Sequence, residues 1–284
     1  MSDCTIHTYT AGENGLFVNS YLLEMPSGVV VVDTNLLVSD IAALRARLAA
    51  LHKPLVGIFL THAHPDHFNG VMDLVRDREV PVHATQGVAR AIREIAEAKR
   101  AQWGPVYGPE WPTETYHVNT ELRDGDVVSF EGLTITAHEL GRGESHADSY
   151  LIARPATGAP VAFIGDIAFH GTHPYTADGH TNAWLSTLDR LVNDLAGVRR
   201  LLPGHGAPTG PEVLADQRRY LIAYREVVHR IANGRDRLDD PGRAELEATM
   251  QRYLPDAPLT WMIGLGANAV AAELLAESTT GARA

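Results

Sequence analysis

The junction at residues 55–67 constrains this chain more than any other feature. Leu55–Leu60 (LVGIFL) is apolar throughout and runs without a turn into Thr61-His62-Ala63-His64-Pro65-Asp66-His67. A short run with no polar face is typical of a strand covered on both sides. The fold must therefore build layers around it. The polar cluster then falls at the end of a sheet strand, where α/β proteins place reactive groups because the sheet fixes their geometry.

Two later junctions repeat the pattern. Val161–Ile164 stops at Gly165-Asp166, and Arg199–Leu202 stops at Pro203-Gly204-His205-Gly206. In the first motif, His62 and His64 occupy alternate positions, so they can face one side of an extended segment and share one ion. Asp66 and His67, on the turn that follows, can face a second ion. Imidazole and carboxylate without thiolate suit zinc, manganese or iron at a catalytic site. For the motif alone, a polar turn of solvated histidines is the competing reading.

The remaining chain reads as alternating strands and helices. Strands are predicted at Leu16–Leu23, Val29–Asp33, Val80–Ala84, Val127–Phe130, Leu133–His138 and Ser149–Ala153, beside the three junction strands. Helical spacing covers Ser39–Leu51 (with Ser39 as cap), Asn69–Arg76, Gly87–Arg100 and Ala183–Leu195. Long helical patterns then fill Pro211–Ala232, Arg243–Tyr253 and Met262–Glu277. Residues 101–118 carry three prolines, two tryptophans and two tyrosines without periodicity, and read as an ordered loop or lid. No linker or repeat interrupts the 284 residues, so a single domain over 1–284 is expected, with a core at about 15–210 and a helical part at about 211–278.

Composition excludes several classes. Thirty-five acidic against 24 basic residues give a net charge of −11, which repels a phosphate backbone and disfavours a nucleic-acid partner. No apolar stretch is long enough to span a membrane. The start, Met1-Ser2-Asp3-Cys4-Thr5-Ile6, lacks a basic segment followed by an apolar one, and the lone Cys4 cannot close an internal disulfide. A cytoplasmic protein acting on a small molecule is expected, with oligomeric state open and a homodimer admitted.

These residues bring out a family. The chain resembles the metallo-β-lactamase superfamily, whose signature is this H-x-H-x-D-H run followed by a distant His, Asp and His. The resemblance covers about residues 15–210, and Asn19-Ser20-Tyr21-Leu22 and Val30-Val31-Val32-Asp33 are similar to the family's first strands. It implies a four-layer αββα sandwich with a helical C-terminal extension. It also implies two zinc-type ions, Mn2+ or Fe2+ being alternatives. One ion would take His62, His64 and His146, the other Asp66, His67 and His205, with Asp166 bridging. Two such ions can hold a shared hydroxide that attacks an ester, lactone, thioester or amide bond. Asp66 is the candidate catalytic carboxylate, steering the water and passing its proton to the leaving group.

Departures narrow the expectation. With Asp166 present and no second-half cysteine, the chain looks more like the glyoxalase-type and lactonase branch than the antibiotic-cleaving enzymes. Three residues after Asp166, where acyl-homoserine lactonases often carry tyrosine, stands Phe169, which counts against that activity. Trp103, Tyr107, Trp111, Phe169 and His173 are candidate substrate contacts, although packing explains loop aromatics equally well. Two rivals remain: a mononuclear iron persulfide dioxygenase, and a non-catalytic binding domain on the same fold.

Overall fold

The computed structural model describes residues 4–76, 78–114 and 118–281. The first half alternates strands with helices: β1 (Thr5–Thr10), β2 (Asn19–Glu24), β3 (Val29–Val32), α1 (Val38–Ala50), β4 (Leu55–Phe59), α2 (Pro65–Phe68), α3 (Val71–Val75), β5 (Val82–Thr85), α4 (Gln86–Tyr107) and β6 (Thr120–Leu122). Among the described residues these strands form a six-stranded sheet in chain order. Its first three strands pair antiparallel and the rest parallel. The second half adds β7 (Val127–Phe130), β8 (Leu133–Gly141), β9 (Asp148–Pro155), β10 (Val161–Gly165), α5 (Thr181–Asp194) and β11 (Arg200–Pro203), and its sheet has the order β11-β10-β9-β8-β7. The chain ends in α6 (Glu212–Ala232), α7 (Asp240–Tyr253), α8 (Trp261–Leu265) and α9 (Ala267–Gly281).

The unbroken valine run of β3 shows why four layers form. Successive side chains point to opposite faces of a strand. Val29 and Val31 pack with Leu44 and Leu48 of α1 and Ile92 of α4. Val30 and Val32 pack with Ile135, Leu151 and Phe163 of the second sheet. That sheet turns its other face, with Ile152, Ala162 and Leu201, to Trp184 and Leu188 of α5 and Leu221 of α6. Helix, sheet, sheet, helix is the αββα sandwich. The C-terminal helices share a separate apolar cluster centred on Tyr224, Val228, Leu246 and Ile263. Among the described residues, no helix is long and apolar enough to cross a membrane.

Several elements differ from the sequence reading. β1 and β6 were not anticipated, because β1 is half-exposed and polar and β6 has three residues. α1 is capped at Leu37 instead of Ser39, and the Ser39 N–H and hydroxyl both donate to Glu110 Oε2. The predicted helix over 69–76 breaks at Gly70, whose N–H donates to Thr34 Oγ1. The expected loop at 101–118 is helical through Tyr107, and its residues 115–117 lie outside the described residues. Trp103 and Tyr107, spaced by four, share an α4 face packed against Leu36, Leu37 and Trp111, and this carries the helix past Pro105 at the loss of one backbone hydrogen bond. The last predicted helix splits at Gly266, where a Cβ would collide with Thr176 Oγ1.

Candidate metal centre

Every strand junction singled out in the sequence opens on the same rim of the sandwich. The segment after β4 brings His62 and His64, and α2 brings Asp66 and His67. The ends of β10 and β11 bring Asp166 and His205. Backbone bonds lock the two sheets together here: Ser149 N–H donates to Thr61 O at 3.0 Å, and Asn19 N–H donates to Gly204 O at 2.7 Å. Gly204 must be glycine, since a Cβ would collide with Asp166 Oδ1 and stand 2.7 Å from His67 Cε1.

Among the described residues, three overlapping groups have ligand atoms within 4.8 Å of one another: His62, His64 and Glu144; Asp66, His67 and His205; and His62, His67 and Asp166. Asp166 lies between the other two groups. Its Oδ2 is 3.2 Å from His205 Nε2 and 3.9 Å from His62 Nε2. All seven of these residues are buried.

The outward ring nitrogens are already committed. Thr61 Oγ1 donates to Asp33 Oδ2 at 2.8 Å, so it must accept from His62 Nδ1 at 3.0 Å. His67 Nδ1 donates to Asp33 Oδ2 and His205 Nδ1 to Leu16 O, each at 2.8 Å. His64 is reversed: its Nε2 meets Asp178 Oδ2 at 3.1 Å while its Nδ1 faces Glu144 Oε2 at 3.0 Å. Such outer bonds fix the tautomer and aim the other nitrogen inward, as in metal sites.

Four of the inward atoms lack a hydrogen-bond partner. His62 Nε2 and Glu144 Oε1 have no hydrogen-bond partner, and His67 Nε2 and Asp166 Oδ1 stand 3.4 Å apart without bonding. A buried imidazole and carboxylate facing each other this way need a proton or a cation between them. Nitrogen and oxygen donors without thiolate fit zinc, manganese or iron. The donor set therefore fits divalent metal.

Electrostatics agree. Burial opposes charge on His64, but Glu144 and Asp178 overcome it and lift its pKa to about 10. Burial likewise opposes charge on His205, where Asp166 and Asp66 raise the pKa to about 10. His67 is held well above its ordinary value against burial by Asp166, Asp66 and Asp33. Burial, then His67, pushes His62 well below its own. Burial lifts Glu144 to about 8, with His64 working against the rise. His64, His67 and His205 thus favour the charged form beside these carboxylates, the balance expected of a site built for cations.

One expected ligand is corrected. His146 is exposed and shares a 2.8 Å hydrogen bond with His180. Glu144, two residues earlier in the β8–β9 turn, points inward in its place. The reason is local: the Asp148 carboxylate accepts from Ser145 N–H at 3.1 Å and Ser145 Oγ at 2.8 Å, which fixes the turn with Glu144 inside. A glutamate in a glycine-flanked polar turn was the available signal.

A pocket opens over the centre. Trp103, Tyr107, Trp111 and Phe169, expected as substrate contacts, line it beside His64, Asp66, Asp166 and His205. Phe169 stacks on His205 with ring centroids 5.2 Å apart. His173 does not line it. That side chain is buried against the C-terminal helices with Nδ1 2.9 Å from Tyr220 Oη, which corrects the expectation. Lys99, Tyr175, Trp261 and Met262 also line the pocket, as do Leu16 and Leu36. Their positions come from packing between distant elements, and no local motif marks them.

With the geometry in place, comparisons place the chain among known proteins. The sequence pattern of the family described as the metallo-beta-lactamase superfamily matches residues 14–205. A hydroxyacylglutathione hydrolase from Hahella chejuensis is 26% identical over 204 residues, 68% of this chain and 78% of that one. A beta-lactamase domain protein from Burkholderia ambifaria superposes with a TM-score of 0.71 at 19% identity, covering 98% of this chain and 88% of that chain. A metallo-beta-lactamase from Pontibacter korlensis gives 0.60 at 20% identity, covering 78% and 96%.

Proposed function

The chain belongs to the metallo-β-lactamase superfamily, and from that premise we propose that it is a hydrolase holding two divalent metal ions, zinc first among the candidates, and cleaving an ester, thioester, lactone or amide bond in a small organic substrate. One observation carries this reading: His62–His64–Glu144 and Asp66–His67–His205 flank Asp166, and His62 Nε2, His67 Nε2, Glu144 Oε1 and Asp166 Oδ1 are left without a hydrogen-bond partner. His62, His64 and Glu144 would hold one ion, Asp66, His67 and His205 the other, and Asp166 would touch both.

Bound metal supplies Lewis acidity for the substrate oxygen and lowers the pKa of water to about 7. The chain's own groups do the rest. Asp66 faces both the pocket and His205, with Oδ2 3.2 Å from Nε2; against burial, His67 and His205 hold its carboxyl well below the usual range, so it stays an anion placed to orient the attacking water. Burial, then Asp66, pushes the Tyr107 hydroxyl up to about 12, so it remains a hydrogen-bond donor at the pocket wall. The aromatic walls exclude water and favour an apolar substrate body. Trp261 and Met262 reach the pocket from the helical extension, which supports treating 1–284 as one catalytic unit. The hydroxyacylglutathione hydrolase relatives support acyl transfer to water.

A second reading has one specific observation behind it. His62, His64 and Glu144 are two histidines and a carboxylate, the ligand set of non-haem iron oxygenases. Metal content of protein purified without chelator or metal-affinity tag separates the two. Two zinc or manganese ions per chain, with hydrolysis in an ester and thioester panel, is the expected result. One iron per chain with oxygen uptake supports the oxygenase, and failure to bind metal after reconstitution overturns both.

A further inference from the structure

One corner of the pocket, beside His64, holds an ammonium that its neighbours grip only loosely. Lys99 reaches it from α4 with its side chain 11% exposed. The Lys99 Nζ lies 3.4 Å from Asp178 Oδ1 and 3.4 Å from Tyr175 Oη. Both contacts are long beside the ~2.7–2.9 Å of a strong charged pair. Tyr175 Oη donates to the same Asp178 Oδ1 at 3.4 Å, and His64 Nε2 occupies Oδ2 at 3.1 Å. A single carboxylate thus answers an imidazole, a phenol and an ammonium, and the ammonium alone has three N–H groups to place. A buried donor without an acceptor is unfavourable. One turn further along α4, Trp103 packs edge-on against Trp261 at 6.3 Å, and both line the pocket as apolar surface.

Building on the hydrolase reading above, we propose that Lys99 seats an oxyanion group carried by the substrate, and that Tyr175 exchanges its long 3.4 Å bond to Asp178 for a bond to the same group. The substrate is then an amphiphilic anion: an aromatic or alkyl body lies against the wall formed by Trp103 and Trp261, and a carboxylate or sulfo group lies at Lys99, beside His64. Lys99 sets specificity in this scheme and Tyr175 positions the anion.

The test is binding to the full-length chain after metal depletion, read by quenching of the pocket tryptophans, with 4-phenylbutyrate against 4-phenylbutyramide. The two probes share a body and differ in charge. The carboxylate should bind about 10-fold tighter, as befits a hydrogen bond to a charged group. Lys99→Met should erase that preference. Equal affinity of the two probes for the unmodified chain overturns the proposal, as does a preference that survives Lys99→Met. Should Lys99→Met not fold, Tyr175→Phe reads the same corner. A severalfold loss of preference supports the assignment, and an unchanged preference overturns it. Comparison with 3-phenylpropane-1-sulfonate tells a carboxylate seat from a sulfo seat. Metal stoichiometry is measured separately. Anion preference in a chain that binds no metal removes the hydrolase reading alone, and two metals without anion preference removes this proposal alone.

Discussion

Asp33 Oδ2 accepts the Nδ1 proton of His67 at 2.8 Å, from a backbone held in the left-handed region at φ 58°. The same carboxylate accepts Thr61 N–H at 2.9 Å and Thr61 Oγ1 at 2.8 Å, and Thr61 in turn orients His62. One residue at the end of β3 therefore aims a histidine into each half of the centre.

Replacing Asp33 with asparagine keeps the shape and the tolerance for left-handed backbone but removes the charge. Metal affinity should fall about 10- to 100-fold, measured by competition with a chromophoric chelator, while the fold is retained by circular dichroism. Unchanged affinity would mean that Asp33 only closes the turn.

Glu144 and His146 make opposite predictions. Glu144→Gln should retain one metal per chain in place of two and lose hydrolysis, whereas His146→Gln should keep full loading. Elemental analysis of the two purified variants decides it. The reverse outcome would mean that the β8–β9 turn rearranges when metal binds.

The metal-free protein should lose stability as pH rises above about 6.5. His64 and His205 have folded pKa values of about 10 against the ordinary 6.5. Their contribution is complete below 6.5 and is lost as pH climbs towards 10. Glu144, raised to about 8, also keeps its proton longer in the folded chain, so its effect has the same sign. The depressed His62 acts oppositely, but only below its ordinary pKa. Thermal melts between pH 6.5 and 9.5 should show Tm falling on the order of 5 °C without metal, and a flat profile once metal replaces the protons. A flat profile without metal would contradict the charge arrangement described.

Trp261 is 45% exposed, so its replacement by alanine should change stability by under about 1 kcal/mol. Its edge-on contact with Trp103 in the pocket lining predicts a KM about 2- to 10-fold higher for substrates with an aromatic body, with kcat little altered. Steady-state kinetics with paired aromatic and short-chain esters would show it. A loss confined to kcat would place Trp261 in the chemistry instead of the wall.

Much of this protein was legible in its sequence because it is written locally. The valines of β3 announce a strand buried on both faces, and the apolar runs ending at His62, Asp166 and His205 mark the three junctions that converge. Alternation and chain order suffice for these, since a strand fixes where its end points. The third ligand of the His62–His64 group was not legible in that way. Glu144 and His146 sit two residues apart in one turn, both chemically able to bind metal, and only the hydrogen bonds from Ser145 to Asp148 decide which faces inward. The substrate side was hidden for a different reason. Lys99, Tyr175, Asp178 and Trp261 come from α4, the segment after β10, and α8, and they meet because those elements pack together. Sequence by itself determined the layers and the strand ends that carry the centre. Tertiary structure alone decided that Glu144 faces His62 and His64, and which residues line the pocket, because both depend on side-chain direction and on contacts between residues that no local pattern brings together.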